Sequence, residues 1–211
     1  MARSKRIEFL SELTKGFDTV LDIGTDHGFV LERAFQKNYI KQGLAADLRV
    51  EPLNQAKKTL KNYPVTFHLS DGFLSVKEDF DLAIIAGMGA HLIARIMEHA
   101  PYGSQTYLLQ ANEKIEALRT YLADHHFKII DEYVVKDNFF YVILKVVRGE
   151  MTLTEEELYV GPILKTKPEA TSYFQRKAKQ YQTILSQTSE DQKAQVKKVL
   201  HYYEKVIYDK I

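Results

Sequence analysis

The sequence predicts an α/β fold: a mostly parallel seven-stranded sheet with helices on both faces, followed by a C-terminal helical hairpin. Three observations carry this. Near-continuous apolar runs alternate with amphipathic segments, the pattern of strands buried on both faces and joined by helices. The last two strands are separated only by Asp137-Asn138, too short for a crossover helix, so they must pair antiparallel. Beyond residue 170 strand character disappears, and apolar residues recur at spacings of three and four.

Residues 3–14 read as a helix, with Ile7, Leu10 and Leu13 on one face. Residues 19–23 are a strand entering a glycine turn, and 26–37 are helical. A second strand, 43–47, leads to a helix over 51–62 that carries Pro52 in its first turn, where the missing N–H costs nothing. The third strand, 65–69, ends in Asp71-Gly72. Strand 81–86 precedes helix 90–99, and strand 106–110 precedes helix 113–124. Two longer strands, 127–136 and 139–148, close the sheet, and core packing is the default reading of Phe139-Phe140-Tyr141. Residues 149–170 form a polar connector containing Gly161-Pro162. In 171–211, Phe174, Ala178, Tyr181 and Leu185 make one apolar stripe, and Val196, Val199, Tyr203 and Val206 make another. The polar stretch 186–191 lies between them, with Ser189 placed to cap the second helix. This predicts an antiparallel coiled-coil hairpin projecting from the sheet. Residues 1–150 form one domain, and 151–211 form a linker and helical domain.

A chain of 211 residues holds one α/β domain with a small appendage. Its 45% apolar and 27% charged residues place it among ordinary soluble globular proteins. No apolar run approaches the ~20 residues that span a bilayer, so no membrane association is expected. The basic start, Met1-Ala2-Arg3-Ser4-Lys5-Arg6, is not followed by a secretory apolar core, and a cytoplasmic location is the expectation. The absence of cysteine removes disulfides and Cys-based zinc sites. The seven histidines, His125-His126 among them, show no metal-ligand spacing, so no metal is expected. A net charge of +1 neither demands nor excludes nucleic acid, because clustering decides. The oligomeric state is left open.

Ligands of open α/β sheets bind beyond the carboxyl ends of the strands, and the informative residues gather there. Asp22-Ile23-Gly24-Thr25-Asp26-His27-Gly28 closes the first strand. Gly24 permits a tight turn and close approach of a ligand, and the helix that follows offers unpaired N–H groups. The segment departs from the dinucleotide pattern G-x-G-x-x-G. It resembles the acid-x-Gly-x-Gly-x-Gly pattern of methyltransferases, with Asp26 in place of the middle glycine. Five parallel strands ending in an antiparallel hairpin is also the arrangement of the Rossmann-like class I methyltransferases. Asp47, with Leu48 beside it, ends the second strand, where a carboxylate can accept hydrogen bonds from ribose hydroxyls. After the third strand the Asp71 carboxylate can accept from an adenine amino group, and Gly72 leaves room for the ring. Each has a bland reading as a strand-to-helix turn, a helix cap or a simple turn. Their coincidence at consecutive strand ends points to one adenosyl ligand. Ala86-Gly87-Met88-Gly89-Ala90 ends the fourth strand, where the methyl acceptor sits in this fold. The Asn/Asp-Pro-Pro-aromatic motif usual for exocyclic amines is absent there. A ring nitrogen such as adenine N1 has an in-plane lone pair and does not need that help.

Three segments, Asp22-Ile23-Gly24-Thr25-Asp26-His27, Ile85-Ala86-Gly87-Met88-Gly89 and Leu109-Gln110-Ala111-Asn112, together resemble the bacterial tRNA adenine-N1-methyltransferases that act on position 22, the TrmK family. The resemblance runs over nearly the whole chain. Where the family usually shows Gly-Met-Gly-Gly and Leu-Gln-Pro-Asn, this sequence has Ala90 and Ala111. The resemblance implies a class I fold, S-adenosylmethionine as donor and tRNA as acceptor. The donor would be held by Asp22, Gly24, Thr25, His27, Asp47, Leu48, Asp71, Gly72, Ala86, Gly87 and Met88. Asp26 is the catalytic candidate, placed to orient the adenine amino group and stabilise the developing cation, or else to hold the donor's ammonium group. Asn112 is the second catalytic candidate, for contact with the target base. That base must be unpaired or extruded, because N1 lies on the Watson–Crick edge.

Residues 151–211 hold ten Lys/Arg against eight Asp/Glu, so the arrangement of charge matters more than its sum. Arg176, Lys177, Lys179, Lys193, Lys197 and Lys198 are candidate phosphate contacts on the outer faces of both hairpin helices. The competing readings are a class I methyltransferase acting on a small molecule or protein, and a non-catalytic nucleotide-binding Rossmann module.

Overall fold

The computed structural model describes residues 4–209. Seven strands form one sheet: β1 Thr19–Ile23, β2 Gln42–Asp47, β3 Val65–Leu69, β4 Leu82–Met88, β5 Thr106–Ala111, β6 Phe127–Lys136 and β7 Phe140–Arg148. Their order is β3-β2-β1-β4-β5-β7-β6. The first five are parallel, and β7 is antiparallel to both β5 and β6. The chain winds outward from β1 to β3 and then crosses to β4. That reversal opens a crevice above the carboxyl ends of β1 and β4.

The helices α2 Phe29–Gln36, α3 Val50–Thr59, α4 Ala90–Met97 and α5 Ile115–Asp124 are the crossovers, and α1 Lys5–Glu12 packs on α2 and β6. Successive strand residues enter opposite cores, as a period of two requires. Ile84 and Leu108 join Leu10, Leu31 and Leu60 on one face. Ile85 and Leu109 join Ile93, Leu118 and Leu122 on the other. No helix of the described residues is long and apolar enough to cross a membrane.

Several boundaries differ from the expected ones for local reasons. The helix expected from residue 26 starts at Phe29, because Asp26 (φ 48°) and Gly28 (φ 73°) are left-handed. Lys114 (φ 55°) likewise delays α5 to Ile115. Strand β4 runs on to Met88 through an irregularity between Ala86 and Met88. For the helix expected over 3–14 and the last helix expected to reach 211, residue 3 and residues 210–211 lie outside the described residues. Phe139 does not pack in the core. Lys136 pairs with Phe140, so residues 137–139 make the turn, and Phe139 stands 72% exposed. Phe140 turns inward, its ring 5.9 Å from that of Tyr173.

The connector contains more structure than its polar composition suggests. Helix α6, Glu155–Val160, starts in a capping box. The Thr154 hydroxyl accepts from Glu157 N, and the Glu157 carboxylate accepts from Thr154 N at 2.9 Å. Two 3₁₀ turns, Leu164–Thr166 and Pro168–Ala170, lead to α7 Thr171–Gln187 and α8 Glu190–Tyr208. Only Thr188 and Ser189 join these two helices, which therefore run antiparallel. The expected stripes meet: Phe174, Ala178, Val199, Tyr203 and Val206 are buried. Ser189 occupies the N-cap position but makes no side-chain capping bond. The base of the hairpin does not stand free of the sheet. Val160, Leu164, Tyr173, Phe174 and Tyr203 share one core with Leu118, Phe127 and Leu144.

An ion pair sits in that shared core. Arg119 on α5 and Glu132 on β6 are both fully buried. Arg119 Nε donates to Glu132 Oε1 at 2.9 Å, and Arg119 Nη1 donates to the carbonyl of Leu158 at 2.7 Å. Glu132 Oε2 accepts from the backbone N–H groups of Ile163 and Leu164 at 2.8 and 2.7 Å. Gly161 (φ 86°) passes so close that a Cβ there would lie 2.5 Å from Glu132 Oε2.

Candidate active site

A cavity of about 490 Å³ occupies the crevice, within the range of small-molecule sites. Every residue expected to hold the donor lines it: Asp22, Gly24, Thr25, His27, Asp47, Leu48, Asp71, Gly72, Ala86, Gly87 and Met88. Asp22 at the end of β1 is buried and forms no ion pair among the described residues. Burial, with Asp47 and Asp26 nearby, pushes its carboxyl up to about 6, and Thr25 is buried beside it. Asp47 at the end of β2 is also buried. Its Oδ1 accepts from Arg49 N at 2.9 Å, and its Oδ2 has no hydrogen-bond partner among the described residues.

The left-handed turn after β1 requires glycine. Gly24 has φ 75°, and a Cβ there would stand 2.2 Å from Met88 Cε. Gly72 (φ 60°) lies against Ile96 on α4, where a Cβ would come within 2.9 Å of Ile96 Cγ2. Leu48 and Leu92 show apolar side chains to the cavity, 61% and 40% exposed. Asp71 is exposed on the rim, 3.7 Å from Arg95 Nη2. Asp26 and His27 are exposed there too, 3.8 Å apart, and the His27 ring stacks on Phe29 at 5.1 Å.

These features fit S-adenosylmethionine. Two buried carboxylates favour a ligand that carries positive charge and hydroxyl donors. Exposed leucines offer faces to an adenine ring, and the glycine turns leave room for close approach.

A second and larger space, about 1380 Å³, adjoins this cavity, and Arg6 and Gly87 border both. Asn112, Phe139 and Tyr141 line it on the sheet side, and Arg176, Lys177 and Lys179 line it on α7. At the junction a hydrogen-bond network fixes the backbone. Gln110 is fully buried, and its Oε1 accepts from Gly87 N at 3.1 Å and from Arg6 Nη1 at 2.9 Å. Its Nε2 donates to Asn112 Oδ1 at 3.1 Å. Asn112 Nδ2 donates to the Gly87 carbonyl at 2.8 Å, and Asn112 N to the Met88 carbonyl at 2.8 Å. The Arg6 guanidinium lies 5.0 Å from the centre of the Tyr141 ring.

The two acceptor-side candidates are not brought together. Asp26 borders the smaller cavity and Asn112 the larger groove. Arg6 and Gln110 carried no assigned role in the sequence. A lone buried amide at the end of the apolar run Tyr107-Leu108-Leu109 demands partners, and that signal could have found Gln110.

Of the expected phosphate contacts on both hairpin helices, only those on α7 line the groove, while Lys197 on α8 is exposed, forms no ion pair among the described residues and lies outside the groove. Lys193 pairs with Glu190, and Lys198 with Glu155 in the acidic first turn of α6. Arg176 and Lys179 form no ion pair among the described residues and face the groove. Lys177 is half-buried over the Tyr181 and Tyr203 rings, and burial lowers its pKa.

Comparison with known proteins gives a consistent result. Residues 20–208 match the family model described as TrmK, tRNA (adenine(22)-N(1))-methyltransferase. The chain is 31% identical over 151 residues to a Mycoplasma pneumoniae protein described as a candidate tRNA methyltransferase, covering 68% of this chain and 71% of that one. It is 27% identical over 143 residues to the Bacillus subtilis tRNA (adenine(22)-N(1))-methyltransferase, 64% of this chain and 60% of that one. A solved structure of a Streptococcus pneumoniae candidate tRNA (m1A22) methyltransferase, in complex with S-adenosyl-L-methionine, superposes with a TM-score of 0.85 at 26% identity, covering 97% of this chain and 99% of that one.

Proposed function

This chain belongs to the tRNA (adenine(22)-N(1))-methyltransferase family, and on that premise we propose that it transfers the methyl group of S-adenosylmethionine to N1 of adenine 22 in tRNA. One observation carries the reading beyond family membership. A cavity with two buried carboxylates opens, through Gly87 and Arg6, onto a groove edged by unpaired cations of α7.

When bound, S-adenosylmethionine supplies an electrophilic methyl group on a sulfonium. The residues of the chain hold and aim the partners. Asp47, through its free Oδ2, takes the ribose hydroxyls, and Asp71 with Gly72 takes the adenine. Asp22 and Asp26 face the positive charge of the donor, since both border the donor cavity. The backbone at Gly87-Met88, held by Gln110 and Asn112, forms the wall between donor and acceptor. Neutral adenine N1 has no proton to lose before attack, so no strong general base is needed and positioning carries the rate. Asn112 already spends one N–H on Gly87 and one lone pair on Gln110. Its second N–H and second lone pair remain to orient the target adenine. The acceptor contact thus falls to Asn112, and the separation of Asp26 from the groove supports its role as a donor ligand.

In this reading residues 1–150 hold the donor and the reacting base, and residues 151–211 hold the body of the tRNA. The cytoplasm, where tRNA is matured, is its place of work. An open basic groove favours a polynucleotide over a small molecule. The test is to incubate the protein with labelled S-adenosylmethionine and bulk unmodified tRNA, digest, and separate the nucleosides. Label is expected in 1-methyladenosine. Label confined to another nucleoside, or none in RNA, would refute the assignment.

A further inference from the structure

Phe139 is a large apolar ring that the fold leaves in water, 72% exposed at the end of the turn between β6 and β7. The turn is braced. Asp137 N donates to the Phe139 carbonyl at 2.9 Å, and Asp137 Oδ2 accepts from Ser4 Oγ at 3.0 Å. On either side of the ring the chain is tied down, by Phe140 against Tyr173 and by Tyr141 beneath Arg6. The ring is therefore presented by a fixed support.

Phe139 borders the same groove as Asn112 and Arg6, and across it stand Arg176 and Lys179. Glu113 and Glu116 also line the groove, but Lys114 and Lys136 join Arg6 and the α7 cations there, so basic side chains outnumber carboxylates. An exposed ring among cations suits unpaired nucleic acid, whose bases stack on aromatics while phosphates meet basic side chains. Extruding an adenine removes one stacking partner from its neighbour and bares a base face.

We propose that Phe139 stacks on a nucleobase adjacent to the extruded target adenine, replacing the contact that extrusion breaks. This rests on the reading that the groove receives tRNA, and the substrate it selects is an RNA with an exposed base next to the methylated one.

The test uses the full chain, its Phe139→Ala and Phe139→Trp variants, and unmodified tRNA transcripts. One transcript is intact, and two carry an abasic residue immediately 5′ or 3′ of the target. Steady-state methylation gives KM and kcat for tRNA, and calorimetry gives Kd for S-adenosylmethionine. Losing one base–aromatic stack weakens binding by about 5- to 150-fold. Phe139→Ala should raise the tRNA KM within that range, with donor Kd unchanged, and Phe139→Trp should keep KM near that of the unaltered protein. One abasic transcript should impose the same loss on the unaltered protein and no further loss on Phe139→Ala. A KM for Phe139→Ala within twofold of the unaltered protein, or fully additive losses with both abasic transcripts, would overturn the stacking while leaving tRNA methylation intact. Failure of the unaltered protein to methylate any transcript would overturn the tRNA reading itself, and the stacking with it.

Discussion

Replacing Glu132 by alanine should destabilise the chain by about 3–5 kcal/mol, the cost of removing one partner of a buried ion pair. The size follows from what the carboxylate does. It is fully buried and accepts from Arg119 Nε and from two backbone N–H groups, Ile163 and Leu164. Its loss leaves a guanidinium with no counter-charge and two buried donors unpaired. Arg119 keeps its bonds to the carbonyls of Leu158 and Tyr159, which limits the damage. Glu132→Gln retains shape and one acceptor oxygen and should lose less. The pair Arg119→Leu with Glu132→Leu removes both charges and should recover the part of the loss due to the uncompensated guanidinium, while the Ile163 and Leu164 N–H groups stay unpaired and the Leu158 and Tyr159 carbonyls lose their donor. Urea unfolding at 25 °C, followed by far-ultraviolet circular dichroism, gives all four stabilities. A loss under about 1 kcal/mol for Glu132→Ala would refute the argument, since an unpaired buried arginine cannot be that cheap.

Three further outcomes are expected. Asp47→Ala should weaken S-adenosylmethionine binding by about 1–3 kcal/mol, read by calorimetry, and unchanged affinity would end the ribose assignment. Asp22, raised from 3.8 to about 6, favours the unliganded fold when protonated, and that contribution is lost as pH rises through 6. A cationic donor needs the ionised form, so donor affinity should fall as pH drops below 6, with proton release on binding near pH 6. Titrations in two buffers of different ionisation enthalpy measure this, and a flat affinity from pH 5 to 7.5 would contradict it. Asp26→Asn should raise the donor Kd and leave kcat at saturating donor little changed, whereas Asn112→Ala should lower kcat and leave donor Kd alone. The opposite pattern in steady-state kinetics would reverse the two roles.

The parallel strands are legible because burial on both faces makes them continuous apolar runs, as in Leu82-Ala83-Ile84-Ile85. The residues expected to hold the donor could be seen to cluster because the fold repeats one geometry, so acids at successive strand ends converge on one cavity. Elements defined by single backbone angles are not legible. Nothing in the residue types of Asp26 and Lys114 announces a positive φ, so α2 and α5 start later than their sequences suggest. The acceptor side is built from distant partners. Arg6 meets Gln110 across 104 residues, and Glu132 meets Leu164 across 32, so no local spacing records either contact. Charge suffers in the same way. Lys198 looks free in the sequence and finds Glu155 only when α8 folds back over α6. One signal was present and local: Thr154-x-x-Glu157 is a helix start, hidden by the polar composition around it.

The shared core constrains how such chains can be recombined. A crossover near residue 150 would draw Arg119 and Glu132 from one parent and Leu158, Gly161, Ile163 and Leu164 from another. Every polar group of that buried cluster would then have to match across the junction, and any side chain larger than hydrogen at 161 would collide with it. A crossover in the polar tip, residues 186–191, leaves that ion-pair cluster within one parent and divides instead the α7–α8 stripe, the Tyr203–Tyr159 hydrogen bond and the exposed pairs of α8 with α6. Chimeras of related enzymes should therefore tolerate a joint at the tip of the hairpin better than one at its root, where the buried ion pair is divided between parents.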